Sequence, residues 1–532
     1  MANRALKGLM GARRPGPGTR TGQRARILPA MRRIACICLL LLAACEPAAE
    51  PVPLGPAPTP PFDQSPRLVS ALDVVQVTLS QAVEIQLISG DEALDPEDRR
   101  SPIVAGRPAL VRVYVQAVEG WTPRDVTATL RLVALPGGGE LERFEATQFV
   151  QTTSTAADPE STFDFELPAE SMIADLAWSV ELREVDLQTY AGEGARAAFP
   201  RPDGDQLPDH EALWVDTWGS TVRLHIIPVR YNHDGSGRLP DLTDEQKAIY
   251  ETAMRGMYPV SDLLIEYGEP WDTDVEFDND GSGFGDVLEA MRTVRVEREV
   301  PWNRYVYALV QPRDSFQTFC ATGCTLGLSY RVANPAQANL RVSVGAGFPG
   351  DSAGWTLAHE IGHAHDRGHA PCGGASNVDA QFPYPDGGTG VWGWNSITGE
   401  RYSPDESSDV MGYCQGKWVS DYQYRELAER IAFFEGIEEP ADDGGDSAGV
   451  PEGWVRVGVR AGQLDSPVPE DLMGEPGGEP VDVEVLDANG LVLRTVTGHL
   501  ARFAHGDDGT LLLATPAPDA VSLRFDGRVT PL

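Results

Sequence analysis

The stretch His359-Glu360-Ile361-Gly362-His363-Ala364-His365-Asp366-Arg367-Gly368-His369 gathers metal-binding and acid–base side chains into eleven residues. On a helix, His359 and His363 stand one turn apart and project from the same face. Two imidazole nitrogens on one face can bind one tetrahedral Zn²⁺, with Glu360 beside them to take the proton of an attacking water. His369, six residues after His363, lies too far along a straight helix to share that face. It becomes a ligand only if the chain turns back, and Gly368 offers backbone freedom for the turn. Three protein ligands and one open position describe a catalytic zinc site rather than a structural one. With 9 His in 532 residues, an HExxH arises by accident in roughly one such chain in a hundred. One catalytic Zn²⁺ is therefore the expected cofactor. His365 sits two residues from His363, points away from its face, and is expected beside the site or at the surface.

These residues need a scaffold. Residues 206–438 read as mixed α/β, with strand-like runs at 221–229, 305–310, 327–332 and 340–344. Thr243-Asp244-Glu245-Gln246 has the form of a capping box opening a helix through Met257. Ser352 is expected to cap the helix bearing His359 and His363, and helical spacing recurs from Ser420 to Phe434. Before this region, residues 67–205 carry short alternating or β-branched runs, including 74–79 and 83–87, punctuated by Pro136-Gly137-Gly138-Gly139. That pattern predicts a β-sandwich-like domain. A Gly/Asp-rich linker at 439–450 leads to a small β-domain at 451–532, with strands expected at 455–459, 481–485, 511–514 and 521–525. The fold class expected is multidomain α+β, with an α/β catalytic domain flanked by β-domains. At 532 residues the length suits two to four domains.

The leading residues address the chain outside the cytoplasm. Residues 1–44 read as a signal peptide whose start is better placed at Met31, where Arg32-Arg33 precedes a short apolar run. Leu42-Ala43-Ala44-Cys45 resembles the lipobox of bacterial lipoproteins, which implies a lipid on Cys45 and a cell-envelope location. Residues 45–66 form a Pro/Ala-rich tether. A lipid anchor is then the only membrane contact expected. The net charge of −36 becomes −45 without residues 1–44, which hold nine Lys/Arg and no Asp/Glu. Such a surface repels phosphates, so no nucleic-acid partner is expected. Beyond the signal and Cys45, four cysteines remain: Cys320, Cys324, Cys372 and Cys414. An even number in an exported chain suggests two disulfides, and three pairings are open. Cys320–Cys324 with Cys372–Cys414 is the expected one.

Downstream, Ser408-Asp409-Val410-Met411-Gly412-Tyr413-Cys414 follows His369 by about forty residues. With HExxHxxxxxH, this segment resembles the metzincin clan of zinc endopeptidases. The domain plan and the His-Ala-Pro-Cys after the motif are similar to its secreted mucin-protease group. The resemblance implies that His359, His363 and His369 hold zinc, that Glu360 is the general base, and that Met411 is the methionine of the Met-turn beneath the metal. It places Tyr413 where some members carry a tyrosine that steadies the transition state. One departure stands out: members usually have Gly, sometimes Asn, where this chain has Asp366, a residue that also visits the left-handed region. Members bind substrate as an added strand, which implies residues 327–332 or 340–344 here. The loop between Gly373 and Ser407, with Trp392 and Trp394, is expected to shape the substrate pocket. The implied partner is an extracellular protein or glycoprotein substrate. A catalytically silent surface lipoprotein acting as adhesin or binding module is the alternative. Asp278-Asn279-Asp280-Gly281-Ser282-Gly283 resembles a Ca²⁺ loop, but Val287 replaces its bidentate acid, so a turn is the expected reading.

Overall fold

A computed structural model describes residues 67–532 apart from 187–195, 203–209, 322, 335–336, 437–452, 461–462 and 471–475. The expected signal peptide, the Met31 start, Cys45, the tether at 45–66 and the linker at 439–450 all lie outside the described residues. The described chain is mostly β with few helices, and its strands are distributed over several sheets.

Six strands open it: β1 (Leu72–Gln86), β2 (Ala109–Ala117), β3 (Arg124–Ala134), β4 (Gly139–Val150), β5 (Phe163–Leu167) and β6 (Leu176–Glu184). They form antiparallel sheets ordered β1-β2-β5 and β6-β3-β4. Val77, Val111 and Val113 of the first and Val126, Leu130 and Leu182 of the second share one core. The two runs read at 74–79 and 83–87 are one continuous strand, because the chain passes through Ala82 at φ 80° without leaving the sheet.

The central sheet is built differently. In chain order come β7 (Thr221–Tyr231), α1 (Asp244–Met257), β8 (Asp262–Tyr267), α2 (Phe284–Glu297), β9 (Tyr305–Val310), β10 (Gly327–Ser329), β11 (Val342–Ala346) and α3 (Asp351–Ala364). The strand order is β8-β7-β9-β11-β10, parallel throughout except for the antiparallel edge strand β10. β9 shows why its sequence is apolar at every position. Tyr305, Tyr307 and Leu309 enter the core containing α1 and α3, while Val306, Ala308 and Val310 enter the core containing α2. A strand covered on both faces has no solvent side to mark with polar residues. β11 lies inside the sheet, so of the two expected substrate strands only 327–329 is an edge.

The helix starts differ from expectation. Thr243 caps α1 by accepting from Gln246 N, but the Gln246 side chain accepts from Gly350 N (2.8 Å) instead of completing a capping box. Gly350, at φ 111°, is the N-cap of α3, and Ser352 is already inside the helix. α1 and α3 cross closely at Gly354, where a Cβ would lie 3.0 Å from Ala253 Cβ and 3.1 Å from Ile249 O.

After α3 the chain forms β12 (Gly393–Trp394) and β13 (Arg401–Tyr402), then α4 (Asp421–Glu435), capped by Ser420. β12 adds to β1 with Ala82 opposite Trp394, extending the N-terminal sheet. Trp394 is buried there, and Trp392 O accepts from Glu84 N. Both tryptophans of this loop thus lie where it joins the N-terminal sheet.

The C-terminal strands are β14 (Trp454–Arg460), β15 (Glu479–Leu486), β16 (Val492–Arg502), β17 (Gly509–Ala514), β18 (Ser522–Phe525) and β19 (Arg528–Pro531). Their order is β14-β17-β16-β15-β18-β19, all antiparallel. β16 had no strand signal, being half exposed and polar along much of its length. The sheet is tied to α2. Buried Arg292 meets Glu289 (3.3 Å) and Glu470 (2.7 Å), Arg456 bridges both carboxylates at 2.9 Å, and Phe503 enters the α2 core.

Gly354→Val adds bulk at a helix crossing that already has contact distance. It is expected to destabilise by about 1–3 kcal/mol, read as a lowered Tm in a thermal melt.

Candidate metal centre

α3 carries His359 and His363 on one buried face, as the four-residue spacing requires. The helix then stops in a defined way. Asp366 adopts φ 65°, Asp366 N donates to His363 O (2.7 Å), and Arg367 N donates to Gly362 O (3.0 Å). These two bonds around a left-handed residue are a Schellman closure, normally built on glycine. Arg331 holds the bend from outside, with Nη2 3.1 Å from both Asp366 O and Oδ1. The reversal returns His369 to the helix. Gly368 does not supply the turn, since it is not among the left-handed residues. It allows a close passage instead, because a Cβ there would sit 3.1 Å from Asp379 Cβ.

Each of the three imidazoles is oriented by a backbone carbonyl. His359 Nδ1 pairs with Val410 O (2.8 Å), His363 Nδ1 with Arg367 O (2.7 Å), and His369 Nδ1 with Ser376 O (2.5 Å). A carbonyl only accepts, so each Nδ1 carries the proton and each Nε2 presents a lone pair. Those lone pairs converge: His363 Nε2 is 3.0 Å from His359 Nε2 and 3.1 Å from His369 Nε2. In this tautomer no proton is available to join them, and three facing lone pairs repel unless a cation lies between. Tetrahedral ligands at zinc distances of about 2.0–2.1 Å stand about 3.3 Å apart, close to the spacing observed. The set fits a metal ion. Burial, reinforced by the neighbouring imidazoles, holds His359 and His363 well below the usual histidine range, and burial brings His369 to about 3. All three are therefore neutral, as metal ligation requires.

Glu360 is buried beside them, and burial raises its carboxyl above the usual range. Its Oε2 has no hydrogen-bond partner in the protein. The carboxylate occupies space left by Gly327 of β10, where a Cβ would fall 2.4 Å from Glu360 Oε1. Met411 is buried against the other side of the helix. Gly362 makes room for it, since a Cβ at 362 would lie 2.5 Å from Met411 Sδ. The Met411 turn is braced by Asp409, whose Oδ1 accepts from Met411 N (2.7 Å) and Oδ2 from Ser420 N (2.8 Å). It is joined to the segment leaving His369 by Ala370 N→Met411 O, Tyr413 N→Cys372 O and the Cys372–Cys414 disulfide. The second disulfide is Cys320–Cys324. Two disulfides suggest an extracellular or exported protein. Among the described residues no helix is long and apolar enough to cross a membrane.

His365 is neither among the clustered imidazoles nor at the surface. Its ring is fully buried, stacks on Tyr305 at 4.4 Å and pairs with Ile361 O, because the face opposite the ligands is the core face of α3. The segment 278–283 that resembles a Ca²⁺ loop is a turn, as expected, and feeds α2: Asp280 Oδ1 accepts from Ser282 N, and Gly283 is the N-cap. Among the described residues, the only grouping of metal-binding side chains close enough to share an ion is the histidine cluster.

That cluster has a member the sequence did not suggest. His505, from the turn between β16 and β17, brings its ligand atom within 4.8 Å of those of His359, His363 and His369. Its Nδ1 lies 2.5 Å from Tyr413 Oη, which is also 3.2 Å from His369 Nε2. Its Nε2 is buried without a hydrogen-bond partner, 3.5 Å from Glu360 Oε1. The only signal was a histidine in an Ala-His-Gly turn, with no spacing to link it to α3.

No family model and no curated protein matches the chain. Among solved structures, one of a chaperone–substrate complex aligns with 51% of this chain and 39% of its own, at 11% identity and a TM-score of 0.23. A Bacteroides fragilis protein assigned as a beta-galactosidase aligns with 45% of this chain and 39% of its own, at 10% identity and a TM-score of 0.14. The chain therefore spans well under half the length of either structure, and scores this low carry no statement about fold.

Two predictions follow from the bend and the brace. Asp366→Gly is expected to leave metal affinity and Tm unchanged or improved. Asp366→Val is expected to cost about 1–2 kcal/mol, seen as weaker metal retention against a chelator and a lower Tm. Burial raises Asp409 from the ordinary 3.8 to about 6, outweighing the bonds from Ser420 and Met411. Folding therefore favours the protonated acid, so its contribution is complete below pH 3.8 and is lost as pH rises through 6. Urea midpoints measured between pH 4 and 7 are expected to show that slope in the wild type and not in Asp409→Asn.

Proposed function

We propose that the protein is a zinc-dependent endopeptidase of the metzincin type acting on extracellular proteins or glycoproteins. The observation that carries this reading is the convergence of three neutral imidazoles on one point beside a buried carboxylate with an unpartnered oxygen. His359, His363 and His369 would hold the ion. When bound, zinc supplies the positive charge that polarises a peptide carbonyl and acidifies water. Glu360 takes the proton of the attacking water and passes it to the leaving amine. Its buried Oε2, unoccupied by any protein donor, is the atom free to do so. Met411, seated under the helix through Gly362, keeps the ligand-bearing turn rigid without touching substrate. Tyr413 Oη, within reach of His369 Nε2, is placed to donate to a developing oxyanion. A substrate strand adds along β10, an edge strand of the central sheet beside Glu360. On this reading the lipid on Cys45 tethers the enzyme to the cell envelope.

The alternative, a catalytically silent surface lipoprotein, draws on a different observation. His505 gives the cluster a fourth imidazole, and four protein ligands are the mark of a structural zinc site.

Glu360→Gln keeps all histidines and is expected to bind zinc as tightly as wild type. Its cleavage of casein is expected to fall by about 10²–10⁴-fold. Equal cleavage by the two proteins, each also carrying His505→Ala so that the fourth imidazole is absent, would remove Glu360 from the reaction, and zinc loss in the variant would show that its role is structural.

A further inference from the structure

We infer that residues 503–506 of the C-terminal domain are a built-in occupant of this site, holding it closed. They lie along the edge a peptide would use and supply His505 as a fourth ligand to the ion. The inference rests on the metal-dependent reading above and adds to it a latent state.

Three observations meet here. The first is backbone pairing. Just beyond β10, Tyr330 bridges antiparallel to Phe503, and Ala504 N donates to Ser329 O (2.8 Å). This is strand addition of the kind that captures extended peptides, performed by the chain on itself. The second is the side chain that follows. His505 enters among the ligands with ring centroids 4.8 Å from His369 and 5.1 Å from His363. Its Nδ1 faces the Tyr413 hydroxyl, and its buried Nε2 lies 3.5 Å from Glu360 Oε1. A buried imidazole nitrogen without a partner is costly unless something unrecorded by the protein atoms satisfies it. A shared cation does so. The third is the anchoring of the loop. Asn377 Nδ2 donates to both Ala504 O and Gly506 O at 3.1 Å, and Phe503 packs on Tyr330 at 5.3 Å.

The consequences are chemical. In this closed state four imidazoles would fill the positions of a bound ion and leave Glu360 no water to deprotonate, so cleavage would come only from the fraction of molecules with the loop displaced. With Phe503 and Ala504 against the edge, a substrate backbone cannot reach it. Tyr413 is also engaged, its hydroxyl held by His505. One loop thus blocks the base, the oxyanion donor and the binding edge together, and a single displacement releases all three.

The test uses the full chain loaded with Co²⁺, whose visible absorption reports the ligand set, together with chelator competition and casein cleavage. In wild type, added acetohydroxamate is expected to leave the spectrum unchanged. In His505→Ala the spectrum is expected to shift on adding it, metal affinity to fall at least tenfold, and casein cleavage to rise at least tenfold. Ala504→Pro removes the N–H given to Ser329 while keeping the histidine, and is expected to open the site to a smaller degree. Unchanged affinity and an unchanged hydroxamate response in both variants would overturn the inference. An opened spectrum with weakened affinity but no casein cleavage would uphold His505 as a ligand and defeat the peptidase reading instead.

Discussion

Three hydrogen bonds from imidazole Nδ1 to main-chain carbonyls set the chemistry of this protein. Because Val410, Arg367 and Ser376 each offer only an acceptor, they leave the three Nε2 lone pairs pointing at one another with no proton between them. Such an arrangement is unfavourable in isolation and favourable around a cation. Much of the surrounding structure keeps those carbonyls in place. The Asp409 carboxylate braces the turn containing Val410, the helix closure at Asp366 presents the Arg367 carbonyl, and the Cys372–Cys414 bridge ties the Met411 turn to the segment leaving His369.

Glycines around the site act by being small. Gly362 admits Met411 beneath the helix, Gly327 admits Glu360 beside the edge strand, and Gly354 lets α1 approach α3. None of these three has a left-handed backbone. Their value lies in contact distance, which tightly packed interiors ration to within a methyl group. The left-handed position falls instead to Asp366, the residue where a glycine was expected, and Arg331 secures it from outside.

The C-terminal sheet changes the meaning of the site. On the inference drawn above, a centre with three histidines and a neighbouring carboxylate would be open to water, whereas one with His505 drawn in would be shut. The buried Arg292, Glu289, Glu470 and Arg456 network and the insertion of Phe503 into the α2 core make that domain a fixed neighbour. Its turn reaches the ligands as a consequence of docking.

Local spacing in the sequence was enough to place His359 and His363 together, because a helix converts a four-residue interval into one face by geometry alone. It also identified Glu360, the helix cap at Thr243 and the apolar strands of the central sheet, all of which depend on neighbours within a few residues. The pairing of Cys372 with Cys414 was one of three that the cysteine count left open, and the seating of Met411 was legible only through resemblance to a known pattern. His505, the edge status of 327–329, the burial of His365 and Trp394, and strand β16 were decided by tertiary structure. Each depends on contacts between segments far apart in the chain, and no periodicity within a segment records which distant surface will cover it. The same chain therefore announces a candidate metal site in eleven residues, yet only its folded form decides whether that cluster has three histidines or four.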